Sequence, residues 1–149
     1  MATVERFIDA TPEQVFALLA DAPAYGRFVV GAKEVRTHDP AWPAKGTELH
    51  HTSGLGPLQV RDRTRVEAVD PPARLELLAG LRPLGQARVV FTLRPVGDGT
   101  LLRIEEAFAS GPLRRLPAGI TDRMIAARNL EVLRRVSEEV QQRIAPDAG

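Results

Sequence analysis

An α+β fold, an antiparallel sheet of about seven strands lying on a long C-terminal helix, is what this sequence predicts. Three observations carry the prediction. Lys33 to Ala109 is a run of short period-two stretches separated by turn residues. One short strand and a capped amphipathic helix precede that run. A long apolar stripe at helical spacing follows it.

Thr3 to Ile8 reads as the first strand. Thr11 then has the character of an N-cap, with Pro12 at the first helical position and Gln14 three residues on, which makes a capping box. Val15, Phe16, Leu18 and Leu19 give this helix its apolar face, and Ala22-Pro23 ends it. Tyr25 to Val30 reads either as a second short helix or as a turn. The strands expected next are Lys33–His38, Thr47–Ser53, Leu58–Val69, Arg74–Leu81, Arg88–Arg94 and Leu101–Ala109. The breaks between them are "DPAWPAKG", "GLGP", "DPPA", "PLGQ" and "VGDG". Short consecutive strands with tight turns favour an antiparallel meander. The last helix is expected from about Ile120 to Ile144. Its stripe is Ala126, Leu130, Leu133, Val140 and Ile144, widened by Ile125, Val132 and Val136. Arg123, Arg128, Arg134, Arg135, Glu138 and Glu139 are expected mostly to face water.

Hairpin geometry sorts residues onto faces. With "GLGP" as a four-residue loop, Leu49 lies opposite Asp62, His51 opposite Val60 and Thr47 opposite Thr64, with Glu48 facing Arg63 behind. With "DPPA" as another, Val66 meets Leu77, Ala68 meets Leu75 and Thr64 meets Ala79. One face is then Leu49, Val60, Val66, Leu75, Leu77 and Leu81, against Arg61, Arg63, Arg65 and Glu67 on the other. Any even loop at "VGDG" puts Val89, Phe91 and Leu93 on one face with Leu102, Ile104, Glu106 and Phe108. Joining the two sets across "RPLGQ" needs an odd loop or a bulge. Four polar residues remain on the apolar face: His51, Asp62, Thr64 and Glu106. Buried carboxylates are costly unless paired or wet. A mostly apolar cavity with a few polar groups accommodates them, and ligand pockets are built that way.

Composition removes other classes. The 149 residues are most simply one domain, 1–149. A net charge of +1 implies no strong electrostatic pull toward nucleic acid or membrane. No cysteine is present, so disulfides and thiolate metal sites are excluded. No apolar run approaches the ~20 residues of a membrane span, and "MATVERF" lacks the order of a signal peptide. A cytoplasmic location is the expectation.

In order and spacing the chain resembles the START/Bet v 1-like (SRPBCC) superfamily, and within it the polyketide cyclase/dehydrase-like branch. The resemblance rests on "IDATPEQVFALLAD", "VDPPARLEL", "VGDGTLLRIE" and "GPLRRLPAGITDRMIAARNLEVLRRVSEEV", and it covers nearly the whole chain. It implies the helix-grip fold: a curved antiparallel sheet gripping the C-terminal helix, two small helices after the first strand, and a cavity between sheet and helix. It also implies a small hydrophobic ligand, such as a lipid, a polyketide or another aromatic. Some members are cyclases or dehydratases, hence lyases or isomerases; many only bind or carry. No catalytic set is common to the family.

On this reading the ligand-contacting set is Tyr25, Phe28, Leu49, His51, Asp62, Thr64, Val66, Leu77, Phe91, Ile104, Glu106, Phe108 and Met124. If chemistry occurs, His51, Asp62 and Glu106 are the candidate acid and base groups, because polyketide cyclisation needs a base and a proton donor. The structural reading of each taken singly is the favoured one: Glu106 wet at the sheet's end, Asp62 paired with an arginine. His50 and His51 point to opposite faces of a strand, and neither ligand number nor spacing fits a metal site. No cofactor is expected. "GPLRRLPAG" reads equally as a lid, a contact for an anionic group, or a solvated loop. Trp42 in "AWPAKG" reads as a loop anchor. A protein-interaction or quinone-delivery module is the third function kept open, as is a homodimer.

Overall fold

The computed structural model describes residues 1–55 and 57–145. Strand β1 (Ala2–Ile8) leads into helices α1 (Pro12–Leu19) and α2 (Tyr25–Phe28), with a 3-10 turn at Ala22–Ala24 between them. Six strands follow: β2 (Ala32–His38), β3 (Glu48–Leu55), β4 (Leu58–Asp70), β5 (Arg74–Gly80), β6 (Gln86–Val96) and β7 (Gly99–Ser110). A second 3-10 turn, Pro112–Arg115, precedes helix α3 (Ala118–Ile144). The seven strands form one curved antiparallel sheet in the order β1-β7-β6-β5-β4-β3-β2. At ~1.5 Å per residue, the 27 residues of α3 span roughly 40 Å, enough to cross the concave side of the sheet.

The capping box is formed as expected. The Gln14 backbone N–H donates to Thr11 Oγ1 at 3.2 Å, and Gln14 Oε1 accepts from the Thr11 N–H at 2.9 Å. This satisfies two donors that the first turn of a helix leaves over. Val15, Phe16, Leu18 and Leu19 of α1 are buried and join one core with Ile8, Leu49, Val66, Leu75, Phe91, Leu102, Ile104 and the inner face of α3. Trp42 also belongs to that core.

Register explains which expectations moved. The β3–β4 connection is shorter than four residues: Leu55 pairs with Leu58, so Leu49 pairs with Thr64 and His51 with Asp62. Gly54 and Leu55 extend the strand instead of turning, and Gly56 lies outside the described residues. The slip is two residues, so every side chain keeps its face. Glu48 still reaches Arg63 diagonally at 3.5 Å. Val66↔Leu77 and Thr64↔Ala79 pair as expected, but a bulge between Val66 and Ala68 moves Leu75 opposite Val69. The junction between the two face sets is an odd loop. Gly80 pairs with Gln86, leaving the five residues 81–85 between them, and Leu77 then meets Val89 and Leu75 meets Phe91.

The α3 stripe needs two corrections. Leu130 and Ile144 are exposed, and the buried face is Thr121, Ile125, Asn129, Val132, Leu133, Val136 and Val140. Five of these residues follow the spacing expected of a helix on a sheet, but Thr121 and Asn129 place polar atoms inside.

Candidate functional site

A pocket of about 360 Å³ opens where α2, the 81–85 loop, the Pro112–Arg115 turn and the start of α3 meet over the sheet. Its apolar wall includes Val29, Val30, Ala32, Ala79, Leu81, Leu84, Phe108, Leu113, Met124 and Ile125. Tyr25, His51, Ser53, Arg82 and Arg128 supply its polar atoms. A recess of about 20 Å³ lies deeper, between Glu106, Arg128, Asn129 and Tyr25 on one side and Leu77, Val89 and Phe91 on the other. It has the volume of about one water.

The structure distributes the expected set between wall and core. Tyr25, His51, Phe108 and Met124 line the pocket. Leu77, Phe91 and Glu106 line the recess. Phe28, Leu49, Val66 and Ile104 are core residues, and Asp62 and Thr64 are buried polar groups; none of these six borders the pocket or the recess.

Three polar arrangements explain the buried groups. The first holds a loop. Asp62 accepts from the Arg63 N–H at 2.8 Å and from the Arg82 N–H at 2.7 Å, with Arg82 Nε at 3.8 Å. Both carboxylate oxygens are therefore bound to backbone amides, and the 81–85 loop is tied to β4. Gly80 permits this, because a Cβ there would overlap the Asp62 carboxylate. The expected arginine pairing of Asp62 is thus mainly with arginine backbone.

The second arrangement is a chain of hydroxyls through a histidine. Tyr25 Oη lies 3.0 Å from Thr64 Oγ1, Thr64 Oγ1 lies 3.1 Å from His51 Nε2, and Ser53 Oγ lies 2.8 Å from His51 Nδ1. A neutral imidazole donates from one nitrogen and accepts at the other. The chain therefore runs in either direction, set by which imidazole nitrogen carries the proton. Burial lowers the His51 pKa, with nearby Asp62 opposing, and the ring is neutral at pH 7. Burial likewise raises the Tyr25 hydroxyl, so it remains a donor.

The third arrangement is an ion pair in the wall. Arg128 Nη1 donates to both oxygens of Glu106, at 3.1 and 3.3 Å, and Arg128 Nε donates to the Val30 carbonyl at 3.0 Å. Asn129 Nδ2 adds a bond to Glu106 Oε1 at 3.2 Å. Glu106 is 2 % exposed, which overturns the expectation of a wet carboxylate at the sheet's end. Burial raises its pKa, while Arg128 and Asn129 pull the other way. Arg128 also departs from expectation: it turns inward instead of facing water. The pair leaves Arg128 Nη2 without an acceptor among the described residues.

Among the described residues no three His, Cys, Asp or Glu side chains gather to hold a metal ion. No helix among them is long and apolar enough to cross a membrane.

A curved seven-stranded antiparallel sheet closed by one long helix, with two short helices after the first strand, defines a helix-grip fold. The chain belongs to the polyketide cyclase/dehydrase and lipid transport family, whose model matches residues 1–141. No functionally curated protein gives a significant match. Solved structures similar to it include a START superfamily protein from Mycobacterium smegmatis, with TM-score 0.74 and 14% identity over 95% of this chain and 97% of that one. Ara h 8.0201 superposes with TM-score 0.71 at 10% identity, covering 94% of this chain and 96% of its own. TTHA0849 from Thermus thermophilus gives 0.69 at 18% identity, covering 97% and 99%. At these identities the likeness is one of fold.

Proposed function

We propose that this protein binds one small, mostly apolar molecule that carries a hydrogen-bonding oxygen. The observation that supports this is a 360 Å³ pocket whose apolar wall ends on fixed polar groups. Its volume falls in the range of small-molecule sites. At roughly 30 Å³ per heavy atom, the share of a liquid water, the pocket takes about a dozen heavy atoms. That size suits a one- or two-ring aromatic better than a sterol or a long chain. The Glu106–Arg128 pair is neutral as a whole, so Arg128 Nη2 suits a carbonyl or phenol oxygen better than a second carboxylate. Ser53, which also borders the pocket, offers a complementary donor or acceptor.

The test is a thermal-shift and native mass-spectrometry screen of naphthols, naphthoquinones, short fatty acids and sterols. Small aromatic oxygen compounds should raise Tm, by an amount that grows with ligand concentration, and Ala79→Trp should abolish the shift by filling the pocket. A sterol as the sole binder, or undiminished binding by A79W, defeats the proposal.

A second reading is favoured by the Tyr25–Thr64–His51–Ser53 chain. In this reading His51 is the acid–base group and exchanges its proton with the ligand through Ser53, which bonds its Nδ1 at 2.8 Å and borders the pocket, whereas Asp62 is held by backbone amides and Glu106 by Arg128. A cyclase or dehydratase acting on a polyketide-like ketone would use it to take the α-proton and return it to the departing hydroxyl. With a short poly-β-ketone mimic, His51→Gln should stop turnover while the mimic still binds. Equal turnover by H51Q rejects this reading.

A further inference from the structure

We infer that the rim of the pocket is a docking surface for an anionic lipid bilayer. The rim is built from three segments: the 81–85 loop, the Pro112–Arg115 turn and the first turns of α3, which contribute Leu84, Leu113 and Met124 to the pocket mouth. The loop and the turn abut. A Cβ at Gly85 would strike Ser110 and Gly111, so the loop lies directly against the residues that lead into the turn.

Two features coincide on this rim. It concentrates large exposed apolar side chains: Leu84 is 43% exposed, Leu116 42%, Ile120 52% and Met124 54%. Ile120 and Met124 are one helical turn apart and share a ridge. The rim also carries Arg114, Arg115 and Arg123, all exposed. Elsewhere Arg27, Arg63, Arg65, Arg74, Arg88, Arg103, Arg134, Arg135 and Arg143 each meet a carboxylate, and the other arginines that meet none among the described residues, Arg6, Arg36, Arg61 and Arg94, are dispersed along four strands. Arg114, Arg115 and Arg123 meet none among the described residues. The nearby carboxylate of Asp122 is taken by the Met1 ammonium at 2.9 Å. With a net charge of only +1 for the whole chain, this end of the molecule is basic by placement.

Exposed apolar groups among unmatched arginines fit an interface where acyl chains lie beneath negatively charged headgroups. Leu116 and Ile120 are exposed beside the pocket-lining Leu84, Leu113 and Met124 and do not themselves border the pocket. Exposed apolar groups of this kind favour a fluid apolar phase over an acidic protein. The arrangement also presents the pocket mouth to the membrane, so an apolar ligand passes between the two without crossing water. Arg114, Arg115, Leu116, Ile120 and Arg123 do not border the pocket, so this surface stands independently of the ligand proposed above.

Vesicle flotation tests it. The full chain should float with phosphatidylcholine vesicles containing 30% phosphatidylglycerol and stay behind with phosphatidylcholine alone. Binding should fall steeply between 50 and 500 mM salt. Arg114→Ala with Arg115→Ala should weaken it roughly 25-fold, at about fivefold per basic side chain near a charged surface. Leu116→Ser with Ile120→Ser should remove it. All four positions are exposed, and an unchanged Tm shows that the variants fold. Failure of the wild-type chain to float, equal flotation with both vesicle types, or insensitivity to both double variants overturns the inference. So does tight binding to an acidic protein through the same residues without flotation.

Discussion

Removing Arg128 while keeping Glu106 should make stability depend on pH in a way the wild-type protein does not match. In Arg128→Met the buried Glu106 carboxylate keeps only Asn129, and a buried charge that loses its partner is strongly destabilising. Glu106 can escape by taking a proton. Its pKa is already raised by burial, and loss of the guanidinium raises it further. The folded variant then holds a proton at Glu106 that the unfolded chain, with a pKa near 4.3, has released. Folding stability therefore falls by about 1.36 kcal/mol per pH unit above roughly 4.3, until the folded pKa is reached. At pH 7 this route caps the charge penalty near 3.7 kcal/mol, and at pH 5 near 1 kcal/mol. The wild-type protein has the same sign over a narrower window, because its Glu106 is raised less. Urea unfolding of both proteins at pH 5, 6, 7 and 8 should show a difference that widens with pH. Glu106→Gln in the R128M background should flatten it. A difference that is the same at every pH, or one unaffected by E106Q, would refute the assignment of Glu106 as a buried, Arg128-dependent carboxylate.

Other outcomes follow from the same structure. Gly80→Ala forces a methyl group onto Asp62 and should cost about 1–3 kcal/mol, read as a lower Tm; an unchanged Tm would mean the Asp62 anchor is dispensable. Thr11→Ala removes one arm of the capping box and should cost about 1 kcal/mol, with Gln14→Ala adding little once Thr11 is gone. His51, with its pKa lowered by burial, should remain neutral at pH 6.5, where a free imidazole is half protonated; ring ¹⁵N shifts report this, and a half-charged ring at that pH contradicts it. The unfolded chain takes the proton first, so His51 contributes stability above pH 6.5 that is lost as pH falls through its folded pKa.

The fold was legible because its signals are local. Period-two alternation, turn residues and one capping box locate all seven strands and the first and last helices. Faces were legible even where register was not, because the β3–β4 slip is an even number of residues. The polar members of the inner face, His51, Asp62, Thr64 and Glu106, were legible for the same reason, and all four are buried. Their partners were not. Thr64 meets Tyr25 from 39 positions away, and Glu106 meets Arg128 and Asn129 from 22 and 23. No local rule links such residues. One signal was available: Asn129 interrupts the apolar face of α3 between Ile125 and Val132. A polar side chain there demands a partner on the sheet. Arg128 misled because arginine beside a stripe usually lies along its solvent edge.

The 81–85 loop sets a counting rule for any change in its length. Gly80 pairs with Gln86 across an odd number of residues. Adding or removing one residue turns β6 and β7 over with respect to β3, β4 and β5. Phe91, Leu93, Leu102 and Ile104 would then point outward, and Thr92, Arg94, Arg103 and Glu105 inward. A change of two residues preserves the faces and only slides or resizes the loop. Because Leu81, Arg82 and Leu84 border the pocket, such changes are a way to reshape its mouth. Diversity at this position is therefore quantised: length libraries should step by two, and single-residue indels should be recovered almost entirely among the misfolded clones.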